Sequence, residues 1–167
     1  MNPADVTVIE VRDLARDLAD AFTVGGLSSK SLDEARRTVA AADAVIAVSP
    51  VFKASYSGLF KMFIDSLDDD ALRSVPTVLG ATAGTARHSL AIDHALRPLF
   101  AHMGALVVPT GVFAATDDFG AATFTGGDGV APLASRVSRA AVELADLMVA
   151  HRVGGVSLCF CQVPDRC

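Results

Sequence analysis

The chain has 167 residues, 51% of them apolar, 20% charged and 6% aromatic, which suits one globular domain with its own core and leaves too little for two. Fourteen Lys and Arg against nineteen Asp and Glu leave a formal charge of -5, so there is no surplus of positive charge to neutralise a phosphate backbone and nucleic acid is not an expected partner. Mean hydropathy is +0.44, yet no apolar run approaches the roughly 18 residues of a spanning helix; no membrane association is expected, and the apolar side chains belong in a core or a subunit interface. The amino end, Met1-Asn2-Pro3-Ala4-Asp5, has neither the basic stretch nor the apolar segment of a secretory signal, which makes the cytoplasm the expected address.

All three cysteines, Cys159, Cys161 and Cys167, fall in the last nine residues, so no disulfide framework can staple the body of the chain. Cys-x-Cys followed by a third Cys offers soft-metal ligands, but no fourth ligand stands near and His151 is the closest imidazole. A metal site is not expected. Residues 153–167 read instead as a disordered or irregular tail beyond a domain of residues 1–152.

Short β-branched runs alternate with longer stripes of helical period, the signature of an α/β domain. Val6, Val8, Ile9 and Val11 predict a first strand over residues 6–11, ending at Arg12-Asp13. Leu14, Leu18, Ala21 and Phe22 predict a short helix before Gly25-Gly26. Ser31, with Glu34 three residues on, predicts the capped start of a second helix that runs to about residue 42. Residues 44–48 are continuously apolar, as in a parallel strand covered on both faces, and Ser49-Pro50 is expected to end it. Leu59, Phe60, Phe63, Ile64 and Leu67 recur at helical spacing after Ser57-Gly58.

A strand over residues 75–81 follows, with Pro76 near its start, where a missing N–H is tolerated. Ile92, Ala95, Leu96, Leu99, Phe100 and Met103 mark a further helix up to Gly104. Pro98 inside it has no N–H, so the carbonyl of His94 loses its helical partner and a kink or bulge is expected there. Leu106, Val107 and Val108 and, past Pro109, Val112 and Phe113 supply a last strand; residues 117–129 form a loop rich in Gly, Thr and Asp; and Leu133 to Met148 carries the final amphipathic stripe.

Strands alternating with helices imply right-handed crossovers and a doubly wound parallel sheet with helices on both faces, whose ligands sit at the carboxyl ends of the strands. Two strand ends carry unusual sequence. After residues 44–48 comes P-V-F-K-A-S-Y-S-G-L-F-K-M-F-I-D, which offers rigid backbone, hydroxyls and helix N-terminal amides to a ligand with polar edges. After residues 75–81 comes A-T-A-G-T-A-R-H-S, whose small side chains let backbone approach a flat ring. Either loop alone is also ordinary turn punctuation. No G-x-S-x-G elbow supports a serine nucleophile, and His88, His94, His102 and His151 have no metal-ligand spacing.

Taken together the two loops are more specific. Over about residues 5–150, and most sharply in P-V-F-K-A-S-Y-S-G-L-F-K-M-F-I-D and A-T-A-G-T-A-R-H-S-L-A-I-D-H-A-L-R-P-L-F, the chain resembles the NAD(P)H-dependent FMN reductases of the flavodoxin-like fold, especially those that feed reduced flavin to two-component monooxygenases. The resemblance implies that Pro50, Val51, Phe52 and Lys53 line one side of the flavin and ribityl chain, with Thr82, Ala83, Gly84 and Thr85 at the ring and Ser55 and Tyr56 as further candidates. It implies hydride transfer from NAD(P)H to FMN, chemistry that belongs to the cofactors, so no catalytic side chain is named. Arg87 and His88 are open to two readings, as contacts to nucleotide phosphates or the ring, or as surface charges. The resemblance also implies a homo-oligomer, dimer or tetramer, with His94 and Pro98 at its interface.

One departure stands out. Members of this family begin with a strand and a Ser/Arg-rich loop that holds the FMN phosphate, and nothing here corresponds to them. The strand expected at residues 6–11 matches the family's second. In the order 2-1-3-4-5 the absent strand lies inside the sheet, leaving a gap of about 10 Å between residues 6–11 and 45–48. Either those two strands pair directly, or the chain begins inside a longer protein; the second is the expectation. Weak FMN binding and an aggregation-prone open edge follow from it. Two other classes fit the same residues: a flavodoxin-like electron carrier that holds FMN tightly, and a cofactor-free interaction subunit.

Overall fold

The computed structural model describes residues 5–23, 28–119 and 131–153. Helices α1 (Ala15–Thr23), α2 (Lys30–Ala40), α3 (Gly58–Asp65), α4 (Arg97–His102) and α5 (Leu133–Val153) surround a sheet of β1 (Val45–Phe52), β2 (Ser55–Tyr56), β3 (Pro76–Ala83), β4 (Leu106–Val107) and β5 (Val112–Ala115). β3 is the spine. β1 runs parallel along one edge, from Val45 opposite Thr77 to Pro50 opposite Thr82, while β4 and then β5 share the other edge. β2 folds back antiparallel on the last two residues of β1.

Helices lie on both faces of the sheet, as the α/β alternation predicts. On one face Leu18, Leu32, Phe60, Phe63, Leu79, Leu96 and Phe100 form the main core between α1, α2, α3 and the helix that starts at Ile92. On the other, α5 lays Ala140, Leu144 and Leu147 over Val78, Val108 and Val112.

Several expectations are corrected. Residues 5–10 form no strand, and Val11–Leu14 is a turn of 3-10 helix. A strand exists only through ladder partners. Between residues 5–11 and β1 there is instead a groove of about 180 Å³, lined on one side by Thr7, Ile9 and Val11 and on the other by residues 44–48. Direct pairing of these two segments is thereby ruled out. Nor is β1 covered on both faces: Ala47 and Ser49 are buried, whereas Ile46 and Val48 on the opposite face are 66% and 54% exposed. Ser49-Pro50 does not end the strand, because its register with β3 carries on through Pro50 opposite Thr82.

The cap of α2 is Ser29, not Ser31; its extended backbone lets the hydroxyl accept from the amide of Leu32 at 3.0 Å. The last strand is split in two, since Pro109 has no amide to offer and the Thr110 amide turns away to a side chain. The bulge expected at Pro98 is a π-helical segment, Ile92–Leu96, in which the Arg97 amide reaches back five residues to the carbonyl of Ile92. Most of the loop at 117–129 and the cysteine tail lie outside the described residues. Among the described residues no helix is long and apolar enough to cross a membrane, and no group of three His, Cys, Asp or Glu could hold a metal.

Candidate active site

The carboxyl ends of β1, β3 and β5 lie side by side, with Pro50 beside Thr82 and Ala83 beside Ala115. Parallel pairing thus brings the two loops singled out in the sequence to one rim. Pro50, Val51 and Phe52 are the last residues of β1, Lys53 is in the turn, Ser55 and Tyr56 form β2, Thr82 and Ala83 close β3, and Gly84 and Thr85 lie just past it.

The first loop is held from beneath. Ser49 is fully buried within β1, where its hydroxyl donates to the Pro50 carbonyl at 3.0 Å and accepts from the Ser57 amide at 3.0 Å. Ser57 in turn caps α3 by accepting from the Phe60 amide at 3.1 Å. These two hydroxyls are spent on the protein's own backbone, so Ser57, one of the serines that made this loop attractive as a polar cradle, is structural, as is Ser49 just before it. Tyr56 ties the hairpin to the core through a tilted ring contact with Phe60, centroids 6.2 Å apart, and Phe60 meets Phe100 at the same spacing. Phe52 at the hairpin tip is 62% exposed.

The hairpin turn is strained. Lys53 and Ala54 both adopt left-handed backbone, with φ of 51° and 66°, the conformation of a two-residue hairpin turn that favours Asn-Gly. Each L-residue held there costs about 1 kcal/mol. Such strain, held at an exposed strand end, fits a rim shaped for contact.

The second loop is open. A side-chain carbon built on Gly84 meets nothing within 4 Å, and Thr85 accepts a long 3.4 Å bond from the Arg87 amide to start the turn Ala86–His88, which packs against β5. Arg87 and His88 are both exposed. His94 is exposed on the π segment and Pro98 on α4.

The rim therefore fits one end of a flavin mononucleotide better than the other. Pro50, Phe52, Thr82, Ala83 and Gly84 supply flat apolar contact and accessible backbone for a ring. For an anionic group the same rim offers the exposed cations Lys53 and Arg87, with the Ser49 and Ser57 hydroxyls already engaged.

Sequence reasoning missed the charged side chains that hold the far edge of the sheet. Arg136 of α5 donates to the carbonyls of Phe113 and, at 2.8 Å, Ala131, and pairs with Asp118, which accepts from the Ala115 amide at 2.8 Å. Glu143, also on α5, accepts from the Thr110 amide at 2.8 Å and the Thr110 hydroxyl at 2.6 Å. Arg97 donates to the carbonyls of Val108 and Pro109 at 3.1 and 3.0 Å and pairs with Asp93 at 3.0 Å. Only the Arg97–Asp93 pair, at helical i,i+4 spacing, had a local signal.

Comparison with known proteins gives this geometry its context. Residues 1–120 match the family of NADPH-dependent FMN reductases. The chain is 36% identical to the NADH-dependent FMN reductase SfnF of Pseudomonas fluorescens, over 89% of this chain and 77% of that protein. It is 40% identical to an FMN reductase (NADPH) of Pseudomonas aeruginosa, over 70% of this chain and 62% of that one. Among solved structures, an oxidoreductase from Corynebacterium diphtheriae superposes with a TM-score of 0.78 at 50% identity, covering 87% of this chain and 76% of its own. The apo form of the NADH:FMN oxidoreductase EmoB follows at 0.66 and 31%, covering 85% and 70%. With a flavodoxin-like sheet and both signature loops at its carboxyl rim, the chain belongs to the NADPH-dependent FMN reductase family.

Proposed function

We propose that this chain oxidises NAD(P)H with FMN at the rim formed by residues 50–56 and 82–85, and that the reduced flavin goes to a partner monooxygenase in the cytoplasm. The observation that carries the reading is the register of Pro50 with Thr82, which joins two loops whose first residues are 32 apart in sequence into one surface of rigid, small and aromatic residues. FMN bound there would supply the hydride acceptor for a reduced nicotinamide. The protein's part is to place the ring. Gly84 leaves room for it, Phe52 and Pro50 offer flat contact, and the Ser49–Ser57 link holds β1 to the start of α3 beneath the hairpin. No acid or base is required. The reductase reading is supported by the likeness to SfnF and to SfnE of Pseudomonas putida, each an NADH-dependent FMN reductase, the latter 36% identical over 86% of this chain; delivery to a monooxygenase is what the resemblance of the two loops implies. The exposed His94 and Pro98, on and just beyond the π segment, are the proposed interface of a dimer or tetramer.

The test is FMN-dependent loss of NADH or NADPH absorbance by the purified chain, compared with Gly84→Leu. The reading expects oxidation that rises with FMN, falls in the variant at equal folding, and shows weak FMN affinity because the phosphate end is thinly furnished. NAD(P)H oxidation that does not depend on FMN would overturn it. Flavin retained through gel filtration with slow NAD(P)H oxidation would point to the electron carrier. A monodisperse monomer by light scattering would defeat the interface.

A further inference from the structure

Within the described residues β5 pairs with β3 alone, so its outer edge has no strand to bond. Phe113 and Ala115, two residues apart, turn their main-chain groups to that same outer side. Both groups are satisfied by side chains instead: the Phe113 carbonyl accepts from Arg136, and the Ala115 amide donates to Asp118. Arg136 and Asp118 then pair with each other, each only 16% exposed, and Arg136 spends its Nε on the Ala131 carbonyl. The guanidinium and carboxylate together stand in for a neighbouring strand.

Their position gives this device a consequence. Ala115 is the register partner of Ala83, the residue before Gly84, and the turn Ala86–His88 also packs on β5. A four-residue strand without an outer partner frays easily, and fraying here moves the wall against which the ring-facing loop is set. We propose that Arg136 is a positioning residue for the flavin site, acting through Asp118 and β5 on residues 82–85; this rests on the assignment of that loop to the flavin. Glu143 provides an internal comparison. It lies seven residues, two helical turns, further along α5 and pins Thr110 at the other end of the same edge, away from the rim.

The experiment compares Arg136→Ala, Arg136→Lys, Asp118→Asn, Glu143→Gln and Gly84→Leu in the full chain. FMN affinity is read by flavin fluorescence, and hydrogen exchange is followed at the amides of residues 82–85 and 113–116 without flavin. Arg136→Ala is expected to weaken FMN about tenfold and to speed exchange in both segments. Arg136→Lys restores part of each, since one ammonium can serve some of the three acceptors. Glu143→Gln lowers thermal stability and leaves both readouts as in the parent. If Arg136→Ala does not fold, Asp118→Asn, which keeps the side-chain shape, carries the same expectations. Parental affinity and parental exchange in Arg136→Ala or Asp118→Asn would overturn the proposal, as would equal losses in Glu143→Gln. Failure of the flavin assignment looks different: Gly84→Leu then leaves FMN affinity untouched while Arg136→Ala still speeds exchange.

Discussion

The two flanks of the sheet solve the same problem in different ways. At the β5 flank the unpaired edge is closed by Arg136 and Asp118, the approach to it is pinned by Glu143 and Arg97, and α5 covers the face. At the β1 flank, the described residues pair only Val51 and Phe52 on the outer side, a groove separates the strand from residues 5–11, and one face carries exposed Ile46 and Val48. Both strands carry Val, Ala and Phe. What differs is which side chains from distant elements arrive to finish the edge. Closure of a sheet is thus a property of partners, not of the strand itself.

Register partners sharpen the contrast. Ile46 and Val78 lie opposite each other on the same face, yet one is 66% exposed and the other 5%. Val78→Thr is expected to lose about 1–3 kcal/mol by leaving a buried hydroxyl without a partner. Ile46→Thr should stay within about 0.5 kcal/mol. Chemical denaturation checks both, and an Ile46→Thr loss as large as that of Val78→Thr would mean that the β1 face is covered in solution.

The glycines offer a second pair. A side-chain carbon on Gly111 would stand 2.7 Å from Cγ2 of buried Ile92, so Gly111→Ala is expected to cost about 1–3 kcal/mol. On Gly80 it would meet Val48 Cγ2 at 3.1 Å, but Val48 borders open space and can turn aside. Gly80→Ala should cost no more than about 0.5 kcal/mol. Equal melting temperatures for the two variants would erase the distinction between the flanks.

At the tip of the β1 hairpin the expected change is a gain. Ala54→Gly relieves a residue held at φ 66° and should raise stability by about 1 kcal/mol, read as a higher melting temperature. A lower one would show that the turn is not strained in solution.

The smallest effect is expected at Glu143, and it is visible mainly through pH. Hydrogen bonds from the Thr110 hydroxyl and amide hold its carboxyl below the usual carboxylate range, with Arg139 assisting and desolvation opposing. A carboxyl lowered in this way stabilises the fold above the pKa it has when unfolded, and loses that contribution as pH falls through the folded value. The difference in melting temperature between the parent chain and Glu143→Gln should therefore be constant near neutrality and shrink below about pH 4.5. A gap that widens in acid would contradict the bond pattern.

Much of this was legible in advance. The run at β1, the helical stripes of α1, α3 and α5, and the disturbance at Pro98 follow from local pattern, because period and a missing N–H act within a few residues. The two signature loops were legible for a related reason: Pro50 to Tyr56 and Thr82 to Thr85 are compact stretches with their own backbone demands. Other features were decided by tertiary structure. Residues 6–11 alternate like a strand and are not one, since ladder bonds need a neighbour and the described residues bring none into reach. The Ser29 cap was chosen over Ser31 by backbone geometry that both sequences allow. Arg136, Asp118, Glu143 and Thr110 look like solvated surface when read one by one, and act as edge closures only after folding brings together positions 18 to 33 residues apart. The α/β order, the family and the two loops can be read from the residues alone, because they depend on short-range period and on contiguous motifs. Only the tertiary structure decided which strand edges are closed and by whom, because a main-chain N–H or C=O takes whichever partner the whole fold delivers to it.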